Sequence, residues 1–221
     1  MKKVVTIVVV IIVIIFVFFI KTNYKSLKFG NNMSNKTAEE IAQYILDISS
    51  YEANVTITVE SNKNSNVYKA KEECVKDGNI FKQEMLEPEN LNGVSFTYDG
   101  TNLKIENSKL NLSKLYENYP YVGENTITLM DFINDYGEAE EKKIVDNGEQ
   151  IVIEVKVKNS NKYVLYKTLY INKDTGNPEK LEVKDITQKT VIYILYNEIK
   201  INNLQKEDIL AFKLKELTND I

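Results

Sequence analysis

The sequence predicts an α+β protein in which an N-terminal transmembrane helix precedes an antiparallel sheet carrying a few packed helices. Three observations predict it. Val4 to Ile20 is an apolar run broken only by Thr6. The segment from Thr37 opens with a helix-start signature and continues with apolar residues at helical spacing. Two stretches, Tyr51 to Glu60 and Ile151 to Lys158, alternate apolar and polar residues, and turn-rich segments separate these and the other apolar stretches.

Taken in chain order, the apolar run comes first. As a helix it spans roughly 25 Å at about 1.5 Å per residue, the short end of a bilayer crossing. A secretory signal would end in small residues at an A-x-A-like site, yet this run ends in "VFFIKTNYK" and the first alanine is Ala38. A lipid anchor would need a cysteine just after the run, and the only cysteine is Cys74. The expectation is a retained anchor over residues 1–21, with Val4, Ile7, Val10, Ile14, Phe18 and Ile20 facing lipid. Lys2 and Lys3 before the span nearly balance Lys21, Lys25 and Lys28 after it, so charge alone does not orient it. A three-residue tail fits a signal anchor that leaves the bulk of the chain outside the cytoplasm, on a single-pass helix in the cytoplasmic membrane. Residues 22–35 are polar and read as a tether, and 36–221 as one domain.

Within that domain, Thr37 as N-cap with Glu40 three residues on completes a capping box. Ala38, Ile41, Ala42, Ile45 and Ile48 then share one helical face. From Tyr51 the period changes to two. The turn-rich segments "SNKNSN", "KDGN", "YDGTN", "VDNGEQ" and "NKDTGNP" suit an antiparallel meander. "YVLYKTLYI" and "VIYILYNEIKI" are apolar on both faces and predict strands covered on both sides. "ITLMDFINDYG" predicts a second helix burying Leu129, Phe132 and Ile133, and "SKLYENYPYVGE" a loop or short helix. "LQKEDILAFKLKELTND" fits either a last strand or a short helix.

Composition removes several chemistries. All 28 basic residues are lysine, with no arginine and no histidine. An imidazole base, a histidine-containing triad and a histidine metal site are therefore excluded. Net charge −4 and the lack of arginine forks disfavour nucleic acid. A single cysteine forbids an intramolecular disulfide, and Cys74 sits where a free thiol behaves as a small hydrophobe. Glu138, Glu140 and Glu141 read as a solvated charge run rather than an acid and base pair. "NKDTGNPEKLE" has its glycine one place early for a calcium loop and reads as a plain turn. No catalytic residue, cofactor or metal is expected.

The order of elements, with the hairpin starting "SYEANVTITV", the "YDG" turn before "LKI", the central helices, and "YINKDTGNPEKLEVKD" leading to "YNEIKIN", resembles the superfamily of the lipoprotein carrier LolA, with LolB and RseB. Asp174, Gly176 and Pro178 are its most telling residues, and it covers about 35–212. Within the superfamily the chain is most similar to the germination lipoprotein GerS and its relatives in spore-forming bacteria. The resemblance implies a strongly curved antiparallel sheet, a half-open barrel with helices on its concave side, enclosing a hydrophobic cavity that binds acyl chains in the carriers. In GerS-like members it implies a non-enzymatic accessory role, supporting a cell-wall hydrolase in spore cortex modification or germination. The bare apolar helix departs from the lipidated cysteine of such members, and a fixed anchor is incompatible with shuttling between membranes.

Two sets of candidate contact residues follow. Tyr116, Tyr119 and Tyr121 cluster around a proline, as rigid aromatics do where they meet a protein partner or a glycan, or where they pack over a sheet. Ile192, Ile194 and Tyr196 either line a cavity for a lipid acyl chain or form plain core beneath a helix.

Overall fold

The computed structural model describes residues 33, 35–61, 63–120 and 127–210. The anchor residues Val4, Ile7, Val10, Ile14, Phe18 and Ile20, and Tyr121, lie outside the described residues. No described helix is long and apolar enough to cross a membrane.

Helix α1 (Ala38–Leu46) starts as its sequence dictates. The Glu40 amide donates to Thr37 Oγ1 at 3.2 Å and the Thr37 amide donates back to Glu40 Oε2 at 2.9 Å, which satisfies two of the helix's free amides. Ile41, Ala42 and Ile45 form the buried stripe. The chain then enters strand β1 (Ser50–Glu60), whose Tyr51, Ala53 and Val55 are buried while Glu52 and Asn54 stay partly wet.

From β1 the chain meanders through β2 (Ser65–Val75), β3 (Ile80–Glu87), β4 (Val94–Tyr98), β5 (Leu103–Asn107) and β6 (Leu112–Tyr116). It then crosses from one sheet edge to the other by way of helix α2 (Leu129–Glu138). It returns through β7 (Lys142–Asp146), β8 (Gln150–Asn161), β9 (Val164–Asn172), β10 (Pro178–Lys184) and β11 (Thr190–Ile201), and ends in the short helix α3 (Lys206–Leu210). The strands form one antiparallel sheet in the order β6-β5-β4-β3-β2-β1-β11-β10-β9-β8-β7. The first strand is therefore central and closes against the last, with Tyr51 opposite Ile201, Val55 opposite Tyr196 and Ile57 opposite Ile194.

The two faces differ in chemistry. Helices α1 and α2 pack on one of them, the inner face, over β7 and β8. There Ile151, Ile153, Leu169, Ile171 and Leu181 join Ile41, Ile45, Leu129 and Phe132 in the main core. The outer face carries ion pairs across neighbouring strands. Glu52 lies 2.6 Å from Lys200 Nζ and 3.7 Å from Lys71 Nζ, and Lys71 also lies 2.7 Å from Glu73. The expectation that β9 and β11 are covered on both sides is corrected. The outward Leu195 is exposed, and outward Tyr170 and Tyr193 are half-buried. Tyr170 is capped by a lysine ammonium instead of a second layer, with Lys180 Nζ 4.0 Å from its ring centroid and its hydroxyl donating to Glu182 Oε2 at 3.0 Å.

Candidate functional site

The inner face is the place to look for a ligand cavity, and beneath the helices it is full. The side chains there are large and branched, and Ile151, Ile153, Leu169, Ile171 and Leu181 are completely buried in one core with residues of α1 and α2. An open groove of about 840 Å³ lies elsewhere, on the outer face of β3 to β6. It is lined by charged and hydroxyl side chains such as Lys82, Glu84, Thr97 and Glu106, together with Ile209 and Leu210 of α3. Leu112 and Leu115 also line it, and it is an open groove of mixed chemistry, not an enclosed apolar cavity of the kind that buries an acyl chain.

Within the inner face sits a knot of polar groups. Glu72 of β2 is 0% exposed, accepting hydrogen bonds from Tyr51 Oη at 2.9 Å and Gln83 Nε2 at 3.0 Å. Burial pushes its carboxyl up to about 7. The bonds from Tyr51 and Gln83 oppose the rise, and the charge of Asp131 adds to it. Burial likewise raises the Cys74 thiol and the Tyr51 and Tyr196 hydroxyls well above their ordinary values. Cys74 is thus held as an unreactive thiol. The Tyr196 hydroxyl is buried with no hydrogen-bond partner.

Helix α2 contributes the remaining members. Thr128 is its N-cap, and Asp131 Oδ2 accepts from the Thr128 amide at 2.9 Å and the Thr128 hydroxyl at 2.7 Å. One turn further along, Asp135 pairs with the buried Lys167 of β9 at 2.5 Å. Lys167 stands between inward-facing Val155 and Val183 of the neighbouring strands, so a cation otherwise stranded in core is matched by a carboxylate from the helix above it. Among the described residues no group of three or more His, Cys, Asp or Glu is arranged to hold a metal ion.

The structure places the sequence-derived candidates at two separate sites. Ile192, Ile194 and Tyr196 lie on β11 at the centre of the sheet, with Ile194 and Tyr196 buried in the core and Ile192 packed against it. Tyr116 and Tyr119 lie at the β6 edge, their rings edge to face at 6.0 Å, with five strands between β6 and β11. Glu138, Glu140 and Glu141 are exposed, and Glu141 pairs with Lys156. In "NKDTGNP", Asn172 Oδ1 accepts from the Asp174 and Thr175 amides, which makes it a hairpin turn.

Sequence reading missed Glu72, Asp131 and Lys167 as a set, although each leaves a trace. In "KAKEECV" the alternation that turns Ala70 and Cys74 inward turns Glu72 inward with them. In "VLYKTLYIN" Lys167 shares the face of Leu169 and Ile171. Thr128 and Asp131 repeat the capping spacing of Thr37 and Glu40. A charge at an inward position is a signal that composition averages out.

Comparison with known proteins bears on identity. A family model described as sporulation protein YdcC-like matches residues 2–210. None of the curated proteins compared with the chain matches it. Among solved structures, GerS in its complex with the CwlD amidase from Clostridioides difficile is similar at 26% identity and TM-score 0.43, covering 76% of this chain and 92% of that one. A LolA superfamily protein from Nitrosomonas europaea is similar at 14% identity and TM-score 0.43, covering 78% and 97%. An outer membrane lipoprotein-sorting protein domain from Vibrio parahaemolyticus is similar at 14% identity and TM-score 0.44, covering 81% and 100%.

Proposed function

Because the chain belongs to the YdcC-like sporulation protein family, we propose that it is a non-catalytic accessory protein that works by binding a protein partner. It is held by the apolar helix at residues 4–20 to the outer side of the cytoplasmic membrane. The observation that carries this reading is the filled inner face. In the curved, half-open sheet implied by the resemblance, small residues there would leave room for an acyl chain. Here fully buried isoleucine, leucine and phenylalanine occupy it. A cell-wall hydrolase is the partner class to test first, since an amidase is what GerS is bound to in the Clostridioides difficile complex. The second reading, a lipid or lipoprotein-binding module, is favoured by the partly buried apolar residues Ile57, Tyr68, Phe96 and Ile192 that continue the inner face beyond the main core.

Native mass spectrometry of the full chain in detergent separates the readings. The protein is measured alone, after incubation with a membrane lipid extract, and with purified cortex amidase. A one-to-one or higher complex with the amidase, and no retained lipid, is the expected result. A retained lipid mass moves the assignment to the second reading, while turnover of peptidoglycan by the chain alone overturns both. Protease treatment of intact protoplasts tests the location: loss of the domain from Met33 onward is expected, and its survival would place it in the cytoplasm.

A further inference from the structure

We propose that the hairpin tips at one end of the sheet form a docking surface for a phospholipid bilayer, with Tyr163 and Ile186 entering the headgroup boundary and Lys162 and Lys189 meeting lipid phosphates. Neighbouring strands run antiparallel, so the β1–β2, β3–β4, β5–β6, β8–β9 and β10–β11 turns share one end of the sheet and the other four hairpin turns share the opposite end. Among the described residues nine large hydrophobics stay exposed. Six of them, Val67, Leu86, Leu110, Leu112, Tyr163 and Ile186, lie in or beside the first set of turns. The opposite turns, at 76–79, 99–102, 147–149 and 173–177, hold none. A single exposed apolar residue is ordinary on any protein surface, but a gathering at one end is not.

Tyr163 and Ile186 are displayed by built turns. Asn161 Oδ1 accepts from the Tyr163 and Val164 amides at 2.8 and 3.1 Å, and Asp185 Oδ1 accepts from the Thr187 and Lys189 amides at 2.8 and 3.1 Å. The Ile186 amide donates to the Lys162 carbonyl at 3.2 Å, which ties the two tips together. Held in this way, Tyr163 and Ile186 remain 62% and 65% exposed. Lys162 Nζ lies 4.8 Å from the Tyr163 ring centroid. Among the described residues neither Lys162 nor Lys189 is ion-paired, whereas nearby Lys156 and Lys184 are matched to Glu141 and Glu154. Of the acids at this end, Glu89 pairs with Lys109, and Asp185 is spent on its own turn. Apolar tips on separate hairpins, each beside a lysine, match a surface that offers phosphates above a continuous apolar layer, because such a surface has no fixed shape to fit. On the anchored location proposed above, that bilayer is the one holding the helix at residues 4–20. The chain joins the folded unit at the opposite end, where the Met33 amide donates to the Asp174 carbonyl at 3.0 Å. Residues 21–32 reach roughly 40 Å when extended, and the nine residues of β9 run roughly 30 Å, so the tips can meet that same bilayer.

The chain contains no tryptophan, so single-tryptophan variants of the full chain, in proteoliposomes whose acyl chains carry bromine as a quencher, read the contact directly. Emission from Ile186→Trp, and independently from Tyr163→Trp, should be quenched, while Thr101→Trp in the opposite β4–β5 turn should keep its emission. All three positions are exposed, so these substitutions spare the core. Adding Lys162→Gln and Lys189→Gln to Ile186→Trp should lower the ratio of docked to undocked chains about fivefold for each lysine in anionic vesicles. Unquenched emission at both tips, equal quenching of Thr101→Trp, or quenching indifferent to the two lysines overturns the docking surface. So does an Ile186→Trp emission that shifts only when the cortex amidase is added, which would make the same tips a protein interface. Carbonate extraction of the same vesicles reads the anchor separately. Quenching at the tips requires contact whether or not the chain resists extraction, so failure of the anchor and failure of the docking surface are distinguishable.

Discussion

Among the described residues, burial of the Glu72 carboxyl predicts a neutral limb in this protein's pH dependence. Glu72 rises from an ordinary value of 4.5 to about 7 on folding, so the folded chain holds a proton that the unfolded chain releases. Its contribution is complete below pH 4.5 and is lost as pH rises through about 7. Glu52 works in the opposite sense. Lys200 bonds to it and lowers its carboxyl, so its contribution is present above 4.5 and lost as pH falls through its folded value. Urea unfolding should accordingly show greatest stability between these limbs, with a decline of up to about 3 kcal/mol on the neutral side. Glu72→Gln should flatten the neutral side alone, and a decline that persists in that variant would assign it to another group. Gly100 marks a second residue-scale constraint. Its φ is +93°, and an added Cβ would collide with the carbonyl oxygen of Gly78. Gly100→Ala should cost about 1–3 kcal/mol in urea unfolding, because both backbone strain and a backbone clash oppose it.

At the scale of elements, α2 is held by its cap and by one buried ion pair. Thr128 and Thr37 fill the same capping role, yet Thr128 is buried and Thr37 exposed, so water replaces the lost bond only at Thr37. Thr37→Ala should cost about 1 kcal/mol and Thr128→Ala toward about 2 kcal/mol. Lys167→Met strips Asp135 of its partner and should destabilise by about 2–4 kcal/mol, somewhat less than a fully dry pair because Asp135 keeps partial contact with solvent. Adding Asp135→Leu to Lys167→Met should restore most of that loss, and a double variant as unstable as the single one would show that the ion pair is not the cause. This is also where sequence and structure part. Helix α1, strand β1, strand β8 and the turn at Asn172 were legible because local periodicity and turn chemistry act within a few residues. The ion pair was not, because Lys167 and Asp135 meet only after the crossing between the sheet edges brings α2 over β9. Tyr170 and Leu195 misled for a related reason. Their apolarity reads as burial, whereas on the outer face Leu195 is exposed and Tyr170 is capped by the ammonium of Lys180 instead of a second layer.

From Met33 onward the described residues form an open sheet with the first strand at its centre, so it has two edges, and the two are protected unequally. Strand β7 carries Lys142, Lys143 and Asp146, charges that discourage pairing with another chain. Strand β6 carries one charge, Lys114, between Leu112 and Leu115, which are 62% and 47% exposed, and its ladder has no further strand beyond it among the described residues. An edge with free backbone groups, exposed leucines and no proline is a template for an added strand. Leu112 and Leu115 bury little in the folded chain, so replacing them should barely change its stability, within about 0.5 kcal/mol for each substitution. The variant Leu112→Lys with Leu115→Glu should therefore unfold with the native chain in a thermal scan. In sedimentation velocity over a concentration series it should begin to self-associate only at higher concentration than the native chain. If the two chains associate at the same concentration, association runs through another surface, and the leucines of β6 are merely tolerated where water reaches them.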